Sequence, residues 1–167
     1  MLTFTAILIC THVYCQKINF ISIELGFNQI NLAYSRSVSS LPVYVGMEVG
    51  IANQDINNAF DDIVWNTKIG YFFLQKKKTA LSVNLFGGVY VVENDYYKAT
   101  TPVIGCGLDF SRFLGKKQKH SINLGVDFQY GKRDYREVFE SEYVRVESIG
   151  SFSVIPVKIS IGYSFRF

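Results

Sequence analysis

From Val157 to Phe167 every odd position is large and apolar, and every even one is charged, small or polar. A β-strand turns successive side chains to opposite faces. This segment therefore predicts a strand with one greasy face and one face carrying Lys158 and Arg166. Seven earlier stretches divide in the same way. Residues 19–27 set Ile21, Ile23, Leu25 and Phe27 against Ser22, Glu24 and Gly26. Residues 30–38 set Ile30, Leu32 and Tyr34 against Asn31, Ala33 and Ser35, and residues 43–51 set Val43, Val45, Met47, Val49 and Ile51 against Tyr44, Gly46, Glu48 and Gly50. In 63–74 the apolar set is Ile63, Trp65, Ile69, Tyr71 and Phe73, opposite Asn66, Lys68 and Gly70. The pattern continues through 81–92, 103–113 and 121–131, where Asp109 and Asp127 fall on the polar side.

The greasy face carries no charge through the middle of any stretch. Arg36 and Arg112 share its parity, but both sit near strand ends, where a long cation can snorkel to an interface. The opposite face repeatedly holds isolated charges: Glu24, Glu48, Lys68, Asp109, Asp127, Lys158 and Arg166. Two arrangements satisfy this division. A soluble barrel or sandwich buries the greasy face. A transmembrane barrel turns it to lipid and encloses the charges.

The connections favour the second. The links after the second, fourth and sixth stretches are short, and those after the third, fifth and seventh are long; the first, around Asn28 and Gln29, is very short. Short turns on one rim and longer loops on the other is the plan of an outer-membrane barrel. Charge follows it. The short turns hold Lys76, Lys77, Lys78, Lys116, Lys117 and Lys119, whereas the long links hold ten acids against five bases. Stretches of about nine to eleven tilted residues also suit a bilayer's apolar core. Trp65, Tyr71, Phe73, Tyr130, Tyr163, Phe165 and Phe167 lie near strand ends, where an interfacial girdle needs them.

Composition narrows the picture. The chain of 167 residues is 49% hydrophobic and 19% charged, enough for one ordered domain. With 11 Tyr and 14 Phe it favours strands, and a net charge of +3 gives no ground for nucleic-acid binding. Residues 1–15 lack Lys, Arg, Asp and Glu, and Leu2 to Cys10 is a short apolar run. They resemble a secretory signal peptide, cleaved after Val13-Tyr14-Cys15, with residues 16–167 forming the barrel domain. A lipoprotein reading of Cys15 is weaker because bulky Tyr14 precedes it. After cleavage only Cys106 remains, so no intrachain disulfide forms.

Little in the chain points to catalytic chemistry. His12 leaves with the leader, and His120 falls in a Lys-rich turn beside Ser121, which a strand points to the other face. One cysteine and one histidine build no zinc site. Gly105-Cys106-Gly107 is a strand fragment with no helix after it, so it cradles no phosphate. No catalytic group, metal or cofactor is therefore predicted. The enclosed charges read as a structural network, in which Glu48 pairs with Lys68, and Asp109 and Asp127 need a cation such as Lys158. Small residues beside long ones suit an eight-strand interior that side chains can fill.

Tyr163-x-Phe165-x-Phe167 is similar to the C-terminal signal by which outer-membrane barrels are recognised for assembly. Glu24-Leu25-Gly26 followed by Asn31-Leu32-Ala33-Tyr34-Ser35-Arg36 resembles the opening hairpin of small barrels of this kind. Residues 17–167 as a whole resemble the small eight-stranded outer-membrane barrels of Gram-negative bacteria, the OmpX-like and OmpA-transmembrane-domain type. The resemblance implies an all-β, eight-stranded antiparallel up-and-down transmembrane barrel with both termini in the periplasm. It implies outer-membrane lipid and the barrel assembly machinery as partners, and it implies no activity. The last link, residues 132–152, interleaves Tyr135, Val138, Phe139, Tyr143, Val144 and Val146 with charges. It reads as a surface for a partner or as a hairpin prolonging the last two strands, and the two readings are compatible. The expected role is structural, adhesive or interactive. A small channel for ions or solutes and a lipocalin-like soluble barrel are the alternatives.

Overall fold

The computed structural model describes residues 19–38, 41–53, 60, 62–93, 98–140 and 143–167. The leader expected at 1–15 lies outside the described residues. The strands are β1 (Asn19–Gly26), β2 (Gln29–Ser37), β3 (Val43–Ala52), β4 (Asp62–Gln75), β5 (Thr79–Glu93), β6 (Lys98–Leu114), β7 (His120–Tyr130), β8 (Lys132–Glu140), β9 (Arg145–Ser153) and β10 (Val157–Arg166). Eight of them close a barrel in the order β1-β10-β7-β6-β5-β4-β3-β2, every neighbouring pair antiparallel. Closure removes the free strand edges that an open sheet would expose. It is made by β1 and β10, which pair Ile23 with Tyr163 and Leu25 with Ile161.

The period-two reading holds on every barrel strand. Ile23, Leu32, Val49, Trp65, Leu85, Leu108, Leu124 and Ile161 are all about half-exposed or more on the outer surface. Asn31, Glu48, Asn66, Asn84, Asp127 and Lys158 are buried inside. The lipocalin-like alternative required the reverse assignment, so the barrel is inverted relative to a soluble one.

Two features differ from the expected layout. First, β5 and β6 run on past their neighbours until Glu93 pairs with Lys98, so their link shrinks to residues 94–97. Second, β8 and β9 form a separate two-stranded ribbon, from Lys132 opposite Ser153 to Glu140 opposite Arg145. The segment is thus largely a hairpin. Between β4 and β5 the register shifts at Phe72/Leu74, a bulge that leaves Phe73 and Leu74 both exposed. One rim of the barrel carries Asn19, Phe167, the link after β2 and the turns 76–78 and 115–119; we call it the terminal rim. The other carries the β1–β2 turn and the β8–β9 ribbon; we call it the hairpin rim.

Candidate functional site: the filled lumen

Four strands deliver the charged belt of the lumen. Glu48 on β3 accepts from Lys68 on β4 at 3.1 Å through Oε2 and from Lys158 on β10 at 3.1 Å through Oε1. Lys158 Nζ also reaches Asp127 Oδ2 on β7 at 2.9 Å. The four groups form one chain, Lys68–Glu48–Lys158–Asp127, crossing from one wall to another. Glu48, Lys158 and Asp127 are at most 4% exposed. An unpaired charge in such a place is very costly, so every member of this chain needs at least one opposite neighbour, and each has one. Glycines make the room. A Cβ on Gly107 would overlap the Asp127 carboxylate, and one on Gly70 would overlap the Tyr44 ring.

Toward the terminal rim the lumen opens into a cavity of about 70 Å³, lined by Glu24, Tyr44, Lys68, Asp109 and a set of serines including Ser22 and Ser164. That volume holds a few water molecules. Asp109 Oδ2 accepts from Asn84 Nδ2 at 2.8 Å and from the Tyr44 hydroxyl at 3.2 Å. Asn123 Nδ2 donates to Ser164 Oγ, and Ser121 Oγ donates to Asn123 Oδ1 at 3.2 Å. Arg166 does not extend the charged belt. Its guanidinium lies over the rings of Phe113 and Phe20, 4.4 and 5.1 Å from their centroids, with Nε buried and unpartnered. The acids of the belt lie deeper in the barrel, so aromatic faces take the place of the expected counter-ion role.

Toward the hairpin rim the filling turns apolar. Ala52, Val64, Tyr90, Val92, Val103, Phe152 and Val154 form a buried cluster. The Tyr90 hydroxyl donates to Gln29 Oε1 at 2.6 Å, and Gln129 Nε2 donates to the Ile155 carbonyl at 2.8 Å. Phe152 and Val154 belong to the end of β9 and the link into β10. The ribbon is therefore anchored by its root, which plugs the barrel. Beyond the root the ribbon is exposed, with Tyr143 near the tip at 90% and Ile149 midway along β9 at 78%. Tyr135 and Phe139 are placed by the backbone opposite Gly150 and Val146; their side chains lie outside what is described.

The terminal aromatics sit on the outer face. Phe165 and Phe167 stack at 6.2 Å, and Tyr163 meets His120 through a 2.5 Å contact between its hydroxyl and Nδ1. His120 also lies 5.3 Å from the Phe165 ring. It points outward, whereas Ser121 is buried on the lumen side, so the two are not within relay geometry. Among the described residues no group of His, Cys, Asp and Glu is placed to hold a metal, and Cys106 is a free thiol on the outer surface. Sequence reasoning missed the aromatic filling of Phe20, Phe72, Phe86, Phe113 and Phe152. Their parity was the available signal: on β1, β4 and β5 the lumen positions are even, and on β6 those beyond Val103 are odd up to Phe113.

No protein-family model and no curated protein matches the sequence. Solved structures do match. A major outer membrane protein from Thermus thermophilus superposes with a TM-score of 0.57 at 15% identity, over 91% of this chain and 100% of that one. The N-terminal β-barrel domain of Pseudomonas aeruginosa OprF gives 0.54 at 13% identity, over 90% and 96%. The outer membrane protein AlkL, determined in lipid bilayers, gives 0.52 at 12% identity, over 93% and 92%. The chain thus has the fold of the small eight-stranded outer-membrane β-barrels.

Proposed function

We propose that this protein is an integral outer-membrane barrel with a structural, adhesive or surface-interaction role, its termini in the periplasm and the β8–β9 ribbon outside. The observation that carries the reading is the contrast between the two faces of the wall. An apolar outer surface encloses a chain of buried ion pairs beneath an apolar plug. Such a lumen leaves no wide aqueous path. In planar bilayers the purified protein is expected to give no large single-channel conductance, and its gel mobility is expected to change on heating. Migration as a detergent-free monomer would overturn the membrane reading, and large steady conductance would overturn the filled lumen. In intact cells, external protease is expected to cut at the ribbon tip near Tyr143; cleavage only after permeabilisation would reverse the orientation.

A small channel is the second reading, supported by the serine-lined cavity at the terminal rim. Its signature is a small conductance that rises when Phe152 or Val154 is shortened. The Tyr163, Phe165 and Phe167 stripe serves as the assembly signal in this proposal. Phe167→Ala should slow barrel insertion in cells while leaving spontaneous folding in detergent unchanged. Equal loss in both settings would make Phe167 a stability residue instead.

A further inference from the structure

The terminal rim is the most one-sided charged surface among the described residues. The hairpin joining β4 to β5 closes between Lys76 and Thr79, whose backbone groups exchange bonds of 2.8 and 3.3 Å, leaving Lys77 and Lys78 at its corners. The next turn, between β6 and β7, passes through left-handed Gly115 and Gln118 and displays Lys116, Lys117 and Lys119. All six lysines are exposed. The two turns are neighbours, because the Phe113 amide donates to the Lys78 carbonyl at 2.8 Å and Arg112 pairs with Thr79. None of the turns at this rim contains Asp or Glu.

A second feature fixes the direction in which this charge acts. Arg36 and Arg112 stand on the outward face of their strands, paired with Val45 and Ile122 of the apolar wall. Both are exposed, and Ile122, the partner of Arg112, pairs on its other side with Tyr163. Aromatic belts of this kind mark the headgroup zone, and cations at that depth meet phosphates before they meet bulk water. The lysine turns follow directly on the ends of β4 and β6, beyond Phe73 and Arg112.

We propose that the terminal rim is a binding surface for anionic glycerophospholipids, whose phosphodiester headgroups the lysines of turns 76–78 and 116–119 and the outward Arg112 engage. The inference rests on the membrane reading above and names the lipid class that reading leaves open. The lipids are those of the leaflet that the termini face.

The test is boundary-lipid selectivity. The full-length barrel is reconstituted in phosphatidylcholine bilayers carrying spin-labelled phosphatidylglycerol or phosphatidylcholine. An immobilised boundary component in both spectra reports that the barrel is in the bilayer. The ratio of the two boundary fractions separately reports the inference. A headgroup meeting one lysine at full strength gains about fivefold, so a several-fold preference for phosphatidylglycerol is expected in low salt. It should fall toward one in 1 M salt, and also in the combined variant Lys76→Gln, Lys77→Gln, Lys78→Gln, Arg112→Gln, Lys116→Gln, Lys117→Gln and Lys119→Gln. A control pair at the other rim, Lys132→Gln with Arg145→Gln, should keep the preference. A ratio near one in the native protein overturns the proposal, as does a preference that survives the combined substitutions. Salt-sensitive binding to isolated peptidoglycan without any lipid preference would also overturn it, assigning the rim to a cell-wall polymer.

Discussion

Replacing Lys158 by Met removes the link on which the lumen belt turns. Met keeps the length of the aliphatic stem and deletes the ammonium. Glu48 retains Lys68 at 3.1 Å, so it stays paired. Asp127 fares differently: its Oδ2 loses the 2.9 Å partner, and its Oδ1 is already buried without one. Removing one partner of a buried ion pair costs about 3–5 kcal/mol, mostly from the charge left behind. Lys158→Met should therefore destabilise the barrel by about that amount. Adding Asp127→Asn deletes the orphaned charge, and the double variant should recover about 1–3 kcal/mol relative to the sum of the singles. Trp65 supplies the signal, being the one tryptophan of the chain and 53% exposed on the outer face. Its emission in lipid vesicles should shift as urea strips it from the apolar phase. Lys158→Met within about 0.5 kcal/mol of the native protein would refute the reasoning, and so would strict additivity in the double variant.

Three further outcomes follow from the same geometry. Gly107→Ala places a methyl where the Asp127 carboxylate sits; overpacking should lower stability by about 1–3 kcal/mol in the same urea assay, and a neutral result would mean that Asp127 has another place to go. Leu85→Lys puts a charge at the centre of the outer wall, where Leu85 pairs with Ile69 and Cys106 and is 62% exposed; the expected cost in vesicles is about 2–4 kcal/mol, and an unchanged unfolding midpoint would show that this face does not meet lipid. Tyr90→Phe removes the donor of the 2.6 Å bond and leaves Gln29 Oε1 buried; a loss of about 1–3 kcal/mol is expected, while full native stability would argue that the plug is held by its apolar members alone.

How much of this was legible in the sequence depends on which physical signal each part leaves there. The barrel wall was legible because a wall with one apolar face writes period two along every strand. The Glu48–Lys68 pair was legible for a related reason: β3 and β4 are adjacent, and their register puts Gly46 opposite Lys68, two residues from Glu48. The Lys158–Glu48 bond was not. It joins strands separated by β1 and β2, so it follows only from closure. The β8–β9 ribbon left a weak trace because both of its faces carry charged and polar residues, as a hairpin clear of the apolar phase can. Most of the lumen aromatics were hidden in a different way. Phe and Tyr serve both the outer belt and the filling, so their identity says nothing and only parity separates them. Gly105 beside Phe86 and Gly70 beside Tyr44 repeat the lesson, since a large lumen side chain is announced by a missing one on the next strand.

The position of the belt bears on what it contributes. A buried ion network is weak evidence for net stability, because well-packed apolar groups of similar volume serve as well or better. Its geometry is restrictive, however. Sliding β10 by two residues would keep every apolar side chain facing outward and preserve the hydrogen-bonding pattern of the ladder. It would also move Lys158 by about 7 Å along the wall. Hydrophobic patterning forbids a slip of one residue but is nearly indifferent to a slip of two. Lys158 is not indifferent, since such a shift takes it from Asp127 and Glu48 together. The same slip would carry Gly162 away from Glu24, beside whose Cγ it now lies. We therefore read the belt as the feature that selects among the registers allowed by the greasy wall, with its greatest leverage on β10, the strand that closes the barrel.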